Sequence, residues 1–101
     1  MLCYQKIFQK GWKTVSILAY PKKRLELLRR IRESGYGVRM HAYEYYVWKK
    51  GFVSIIFLQP QFRKAYIYTI QTNQEESREA VKRISSLLKI MDENLNIEVI
   101  E

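Results

Sequence analysis

The chain offers little for catalysis, cross-linking or membrane insertion. Its single cysteine, Cys3, excludes an internal disulfide and any two-cysteine metal site. Cysteine is among the most buried residue types, so Cys3 reads as strand packing. The one histidine, His41, has no Ser or Cys nucleophile pattern beside it and no metal-ligand spacing around it, and reads as a structural or surface residue. Acids are scarce in the first half and spread along a helix in the second, so no carboxylate pair stands out for acid–base work. No apolar run approaches the roughly 20 residues that cross a bilayer, and the first six residues lack the basic-then-apolar order of a secretory signal. With only four Gly and two Pro, 48% hydrophobic and 28% charged residues, the chain has the composition of an ordered domain. These absences predict a cytoplasmic, non-catalytic protein with no cofactor, no metal and no membrane span.

What is present is a doubling. Shifted by fifty residues, Ile7-Phe8-Gln9 falls on Phe57-Leu58-Gln59, Trp12-Lys13 on Phe62-Arg63, and Ile17 on Ile67. Three inserted residues later Leu27-Leu28-Arg29-Arg30-Ile31 falls on Ala80-Val81-Lys82-Arg83-Ile84; six more, and Val38-Arg39-Met40 falls on Ile97-Glu98-Val99. Residue class is kept although identity is low, which predicts an internal repeat. At 101 residues the two units, 1–50 and 51–101, are expected to share one core as a single domain. The halves differ in charge. Twelve Lys/Arg against Glu26, Glu33 and Glu44 give +9 in the first; six against seven acids give −1 in the second. Such asymmetry suits an anionic partner or a solvated basic surface.

Periodicity supplies the elements. Residues 4–9 and 14–20 read as a hairpin around Gly11. Pro21 suits a first helical position, Leu25, Leu27, Leu28 and Ile31 form an apolar stripe, and Ser34-Gly35 end the helix. Residues 38–48 read as one long strand with Arg39, His41, Tyr43 and Tyr45 on one side. Residues 52–58, apolar on both faces, read as a central strand. Residues 65–71 put Tyr66, Tyr68 and Ile70 on one side. Asn73 caps a second helix with Val81, Ile84, Leu87 or Leu88, and Met91 as its buried stripe, and residues 95–100 form a last strand. Both helices must cover the sheet. The expected fold is α+β: a two-layer sandwich, one mainly antiparallel sheet with two helices on one face, built from two ββαβ repeats.

An uncovered sheet face bearing Tyr43, Tyr45, Tyr66 and Tyr68 reads as a contact surface. Trp12 and Phe62, matched in the two turns, are expected anchors beside an inter-repeat groove or a strand edge that could hold a peptide, another protein or a second copy of the chain. This protein or peptide binding is the leading expectation. The alternative is sequence-unspecific nucleic-acid binding by Lys10, Lys13, Lys22, Lys23, Arg24, Arg29, Arg30 and Arg32, which together could neutralise several phosphates.

The order of elements from Thr14 onward looks like an RNA-recognition-motif fold, and Lys50-Gly51-Phe52-Val53-Ser54-Ile55-Ile56-Phe57 resembles its signature octapeptide. The base-stacking aromatics of that family fall on Ser54 and Ser16, which cannot stack. The helix, three strands, helix order from Pro21 to Met91 is similar to double-stranded-RNA-binding domains, but Gln74-Glu75-Glu76 opens the second helix with the wrong sign for phosphate. In Met40-His41-Ala42-Tyr43-Glu44-Tyr45-Tyr46-Val47-Trp48 and Ala65-Tyr66-Ile67-Tyr68, the Tyr-, Ile- and Lys/Arg-rich make-up resembles small orphan proteins of filamentous viruses of hyperthermophilic archaea, among them an Acidianus virus protein of duplicated layout. That resemblance implies expression in the host cytoplasm.

Overall fold

The computed structural model describes residues 15–71 and 74–100. Cys3, Lys10, Trp12, Lys13, the hairpin strand at 4–9 and the cap Asn73 lie outside the described residues. Where a strand was expected over residues 15–20 there is a bend and a short 3-10 turn, Ile17–Ala19. Ser16 explains it. Its hydroxyl accepts the Leu18 N–H at 3.2 Å, and its own N–H donates to the Pro60 carbonyl at 2.7 Å, so one local cap and one long-range bond replace a strand ladder.

Helix α1, Pro21–Glu33, starts on the proline and stops at Ser34, whose N–H reaches back to the Arg30 and Ile31 carbonyls, before Gly35 at φ +98. Leu27 and Ile31 are buried and Leu28 packs beside them, whereas Leu25, expected in the stripe, is exposed. The long strand expected over 38–48 is two strands, β1 (Gly37–His41) and β2 (Glu44–Lys49), folded back on each other. The reversal occupies Ala42 and Tyr43, with Ala42 left-handed at φ +54. It shifts the alternation by one residue, so Tyr45 faces the core and Tyr46 and Trp48 face outward.

Strands β3 (Phe52–Gln59) and β4 (Lys64–Gln71) follow, joined by a 3-10 turn, Pro60–Phe62, and left-handed Arg63. Helix α2, Gln74–Met91, buries Ser77, Ala80, Ile84 and Leu88, and β5, Asn96–Ile100, ends the described chain. The fold is α+β, with two α-helices and a five-stranded sheet among the described residues, in the order β1-β2-β3-β4-β5. All neighbours are antiparallel except β4 and β5, which α2 connects in parallel. From β3 onward the order is ββαβ.

α1 packs on β1 and on α2, and α2 over β3 and β4. One alternate set of strand side chains, including Val38, Tyr45, Val47, Ile56, Leu58, Ala65 and Ile67, joins the helix stripes in one core. Fully burying each such aliphatic side chain contributes on the order of 2 kcal/mol. Asp92 ties the lower end together. Its carboxylate accepts from Arg63 Nε at 2.9 Å and from the Asn94 N–H at 3.1 Å, and the Ser16 hydroxyl also bonds it.

Candidate functional site

The other alternate set of strand residues faces away from that core. Read across the ladders, it forms rows: Gly37, Trp48, Val53 and Ile70; then Arg39, Tyr46, Ile55, Tyr68 and Ile100; then His41, Glu44, Phe57, Tyr66 and Glu98; and last Gln59, Lys64 and Asn96. The first two rows are apolar or aromatic apart from Arg39 and Gly37. Ile70 is 58% exposed and Trp48 48%, with Tyr46, Val53, Tyr68 and Ile100 near 40%. Ile55, Phe57 and Tyr66 are half-buried among them. Charges stand at the margins, Arg39 and Lys64 against Glu44 and Glu98. They nearly cancel.

Neighbours hold several of these rings. The Trp48 indole lies over Gly37, where a Cβ would collide with it. Tyr66 and Tyr68 sit 6.5 Å apart between ring centroids, tilted by 31°, and the Tyr46 hydroxyl donates to Glu44 Oε2 at 3.3 Å. A shallow recess of about 650 Å³, lined by Arg39, His41, Tyr46 and Trp48, opens at one corner.

The residues singled out in the sequence are placed unevenly. Tyr66 and Tyr68 belong to this outer set. Tyr43 is exposed in the β1–β2 turn with the Arg24 guanidinium 4.4 Å from its ring centroid. Tyr45 is corrected to a core residue. It is fully buried and its hydroxyl donates to the Arg24 carbonyl at 2.7 Å; burial pushes the phenol well above its ordinary value, against the opposing charge of Arg24. Phe62 is 64% exposed in the turn that joins Gln59 to Lys64 of the last row. Tyr46, Trp48, Val53, Ile55, Phe57, Ile70 and Ile100 were missed as site residues, although the apolar character of residues 52–58 on both faces already signalled the middle of the patch.

The basic residues of α1 do not act as one group. Arg24 Nη1 donates to the Ala19 carbonyl at 2.7 Å and the Leu18 carbonyl at 3.1 Å, a structural task. Lys23 and Arg30 both reach Glu26, at 3.7 and 3.5 Å. Lys22, Arg29 and Arg32 are exposed and, among the described residues, enter no ion pair. A hollow of about 1160 Å³ runs between α2 and β5 over Val81, Ile97 and Val99. Its rim mixes Glu75 and Glu79 with Arg78, Lys82 and Lys89, so it has no dominant sign.

Compared with protein-family models, with curated proteins and with solved structures, the chain matches none. Among the described residues no group of three or more His, Cys, Asp or Glu could hold a metal ion, and no helix is long and apolar enough to cross a membrane. Aromatic, apolar and nearly neutral, the outer rows are suited to burying another apolar surface.

Proposed function

We propose that this chain is a non-catalytic binding protein that engages another polypeptide through the outer rows of its sheet. The reading includes a two-layer domain with both helices on the buried side of the sheet, a doubled ββαβ unit, and a cytoplasmic setting, in the host cell if the viral resemblance holds. One observation carries it: a contiguous apolar patch of Tyr46, Trp48, Val53, Ile55, Tyr68 and Ile70 left uncovered by every described element. Patches of this kind mark interaction surfaces. A ring such as Trp48, about half covered already, removes on the order of 100 Å² from water on docking, worth about 2.5 kcal/mol before binding costs.

Polypeptide is favoured over nucleic acid for two reasons. Bases stack on aromatic planes, but Val53, Ile55, Ile70 and Ile100 interleave the rings and offer no plane. Phosphate tracking needs cations beside the platform, whereas the helix cations lie off this face and Arg24, Lys23 and Arg30 have structural partners. The test places a photo-crosslinking amino acid at Tyr68, or at Arg29 as control, in the full chain in its native cell. Protein adducts specific to Tyr68 are expected. Adducts to nucleic acid at Tyr68, or none there, would refute the proposal.

A further inference from the structure

Resting on that reading of the outer rows, we infer that the polypeptide they engage is a second copy of this chain, in a twofold dimer whose two sheets pack face to face. Two stacked sheets keep their strand directions within about 30° of each other. The twofold axis that does this while keeping each row against itself runs along β3 and lays β1 of one copy over β5 of the other. Ile55 then meets Ile55, Tyr46 meets Tyr68, and Trp48 meets Ile70. The charged corners also match. His41, with Arg39 one row away, falls opposite Glu98, and Glu44 falls opposite the Tyr66 ring, whose hydroxyl can donate to it. No like charges oppose each other. The perpendicular in-plane axis makes no such match, because it lays β1 on β1 and β5 on β5, so that Arg39 and His41 of one copy never meet Glu98 of the other.

The area suffices for a weak dimer. With strands about 4.8 Å apart, eight residues long at β3 and β4 but only five or six at β1, β2 and β5, and about 3.3 Å per residue, the face covers roughly 500 Å² per copy. Doubled, about 1000 Å² falls among the small interfaces of weak, transient complexes, and the self-association is expected in the micromolar range. The chain's net charge of +8 opposes pairing only weakly here, because the charges of the outer rows nearly cancel and the cations of α1 are turned away from the partner.

Sedimentation equilibrium of the full chain, from about 1 to 200 μM to bracket that affinity, is expected to show the mass rise from monomer to dimer. Ile55→Lys, which sets two cations together on the axis, should weaken the dimer by at least about tenfold. Should that variant fail to fold, charge reversal decides. Glu98→Arg and His41→Glu should each weaken the dimer, and the two together in one chain should restore it, because each pair is made twice across the axis. Monomer throughout the range overturns the inference, as does a dimer indifferent to Glu98→Arg. A monomer in which a photo-crosslinking amino acid placed at Ile55 reacts with the chain's own residues 1–14 also overturns it. In the first case, a protein adduct at Tyr68 in the cell would still support the outer rows as a docking surface for a different partner.

Discussion

Replacing Asp92 by Asn tests how the two ends of the domain are held. The carboxylate is buried and joins three separated segments: Ser16 before α1, Arg63 after the β3–β4 turn, and Asn94 after α2. Burial alone pushes its pKa up. The hydrogen bonds from Ser16, Arg63 and Asn94, with the Arg63 charge, outweigh burial and hold the carboxyl below its ordinary value of 3.8. Hydrogen bonds to a charged group are worth about 1.5–3 kcal/mol. Arg63 is about 29% exposed, so solvent screens part of the pair, and Asp92→Asn is expected to cost about 2 kcal/mol near neutral pH. For a domain of this size that lowers the melting temperature by about 10 °C. Because the folded pKa is depressed, the contribution is complete above the unfolded value and is lost as pH falls through about 3.8 toward the folded one. Urea unfolding of both proteins followed by circular dichroism at neutral and acidic pH should show the gap at pH 7 narrowing as the pH is taken below 3.8. A gap below about 0.5 kcal/mol at neutral pH, or one unchanged in acid, would refute this account.

Ala42→Gly relieves a left-handed alanine in the β1–β2 turn and should stabilise the protein by about 1 kcal/mol in thermal melts; a loss would show the turn conformation to be wrong. Thr69→Val removes a hydroxyl that is buried without a hydrogen-bond partner among the described residues, and should be neutral or stabilising by up to about 1 kcal/mol by urea titration. Destabilisation would mean that the hydroxyl has a partner. Gly37→Ala forces the Trp48 indole off the sheet, since a Cβ there collides with the ring. Its fluorescence should shift to the red with little change in circular dichroism, and unchanged emission would exclude the ring-over-glycine contact.

Much of the layout was legible because it rests on periodicity. The α1 and α2 stripes repeat at helical spacing, and Val53, Ile55 and Phe57 beside Phe52, Ser54, Ile56 and Leu58 mark a strand apolar on both sides. The β1–β2 reversal was not legible, because turns with positive φ are signalled by Gly, Asn or Asp and this one uses Ala42 and Tyr43. That one turn hid Tyr45 in the core and put Tyr46 and Trp48 outside. The bend at residues 15–20 depends on Pro60 and Asp92, contacts so distant in sequence that no local pattern carries them. The basic run of α1 looked uniform in sequence, but Arg24 is bound to backbone carbonyls and Lys23 and Arg30 share Glu26, and only side-chain geometry separates these from Lys22, Arg29 and Arg32.

The spatial order of the strands is also their order in the chain. A growing polypeptide can therefore zip β1 to β4 from hairpins alone, each strand closing on the one just synthesised, with little loop entropy to overcome. β5 must wait for α2 to form and cross over. Native-state hydrogen exchange should accordingly find β5 opening at lower free energy than β2 and β3, with the parallel ladder the first to fray and the last to set.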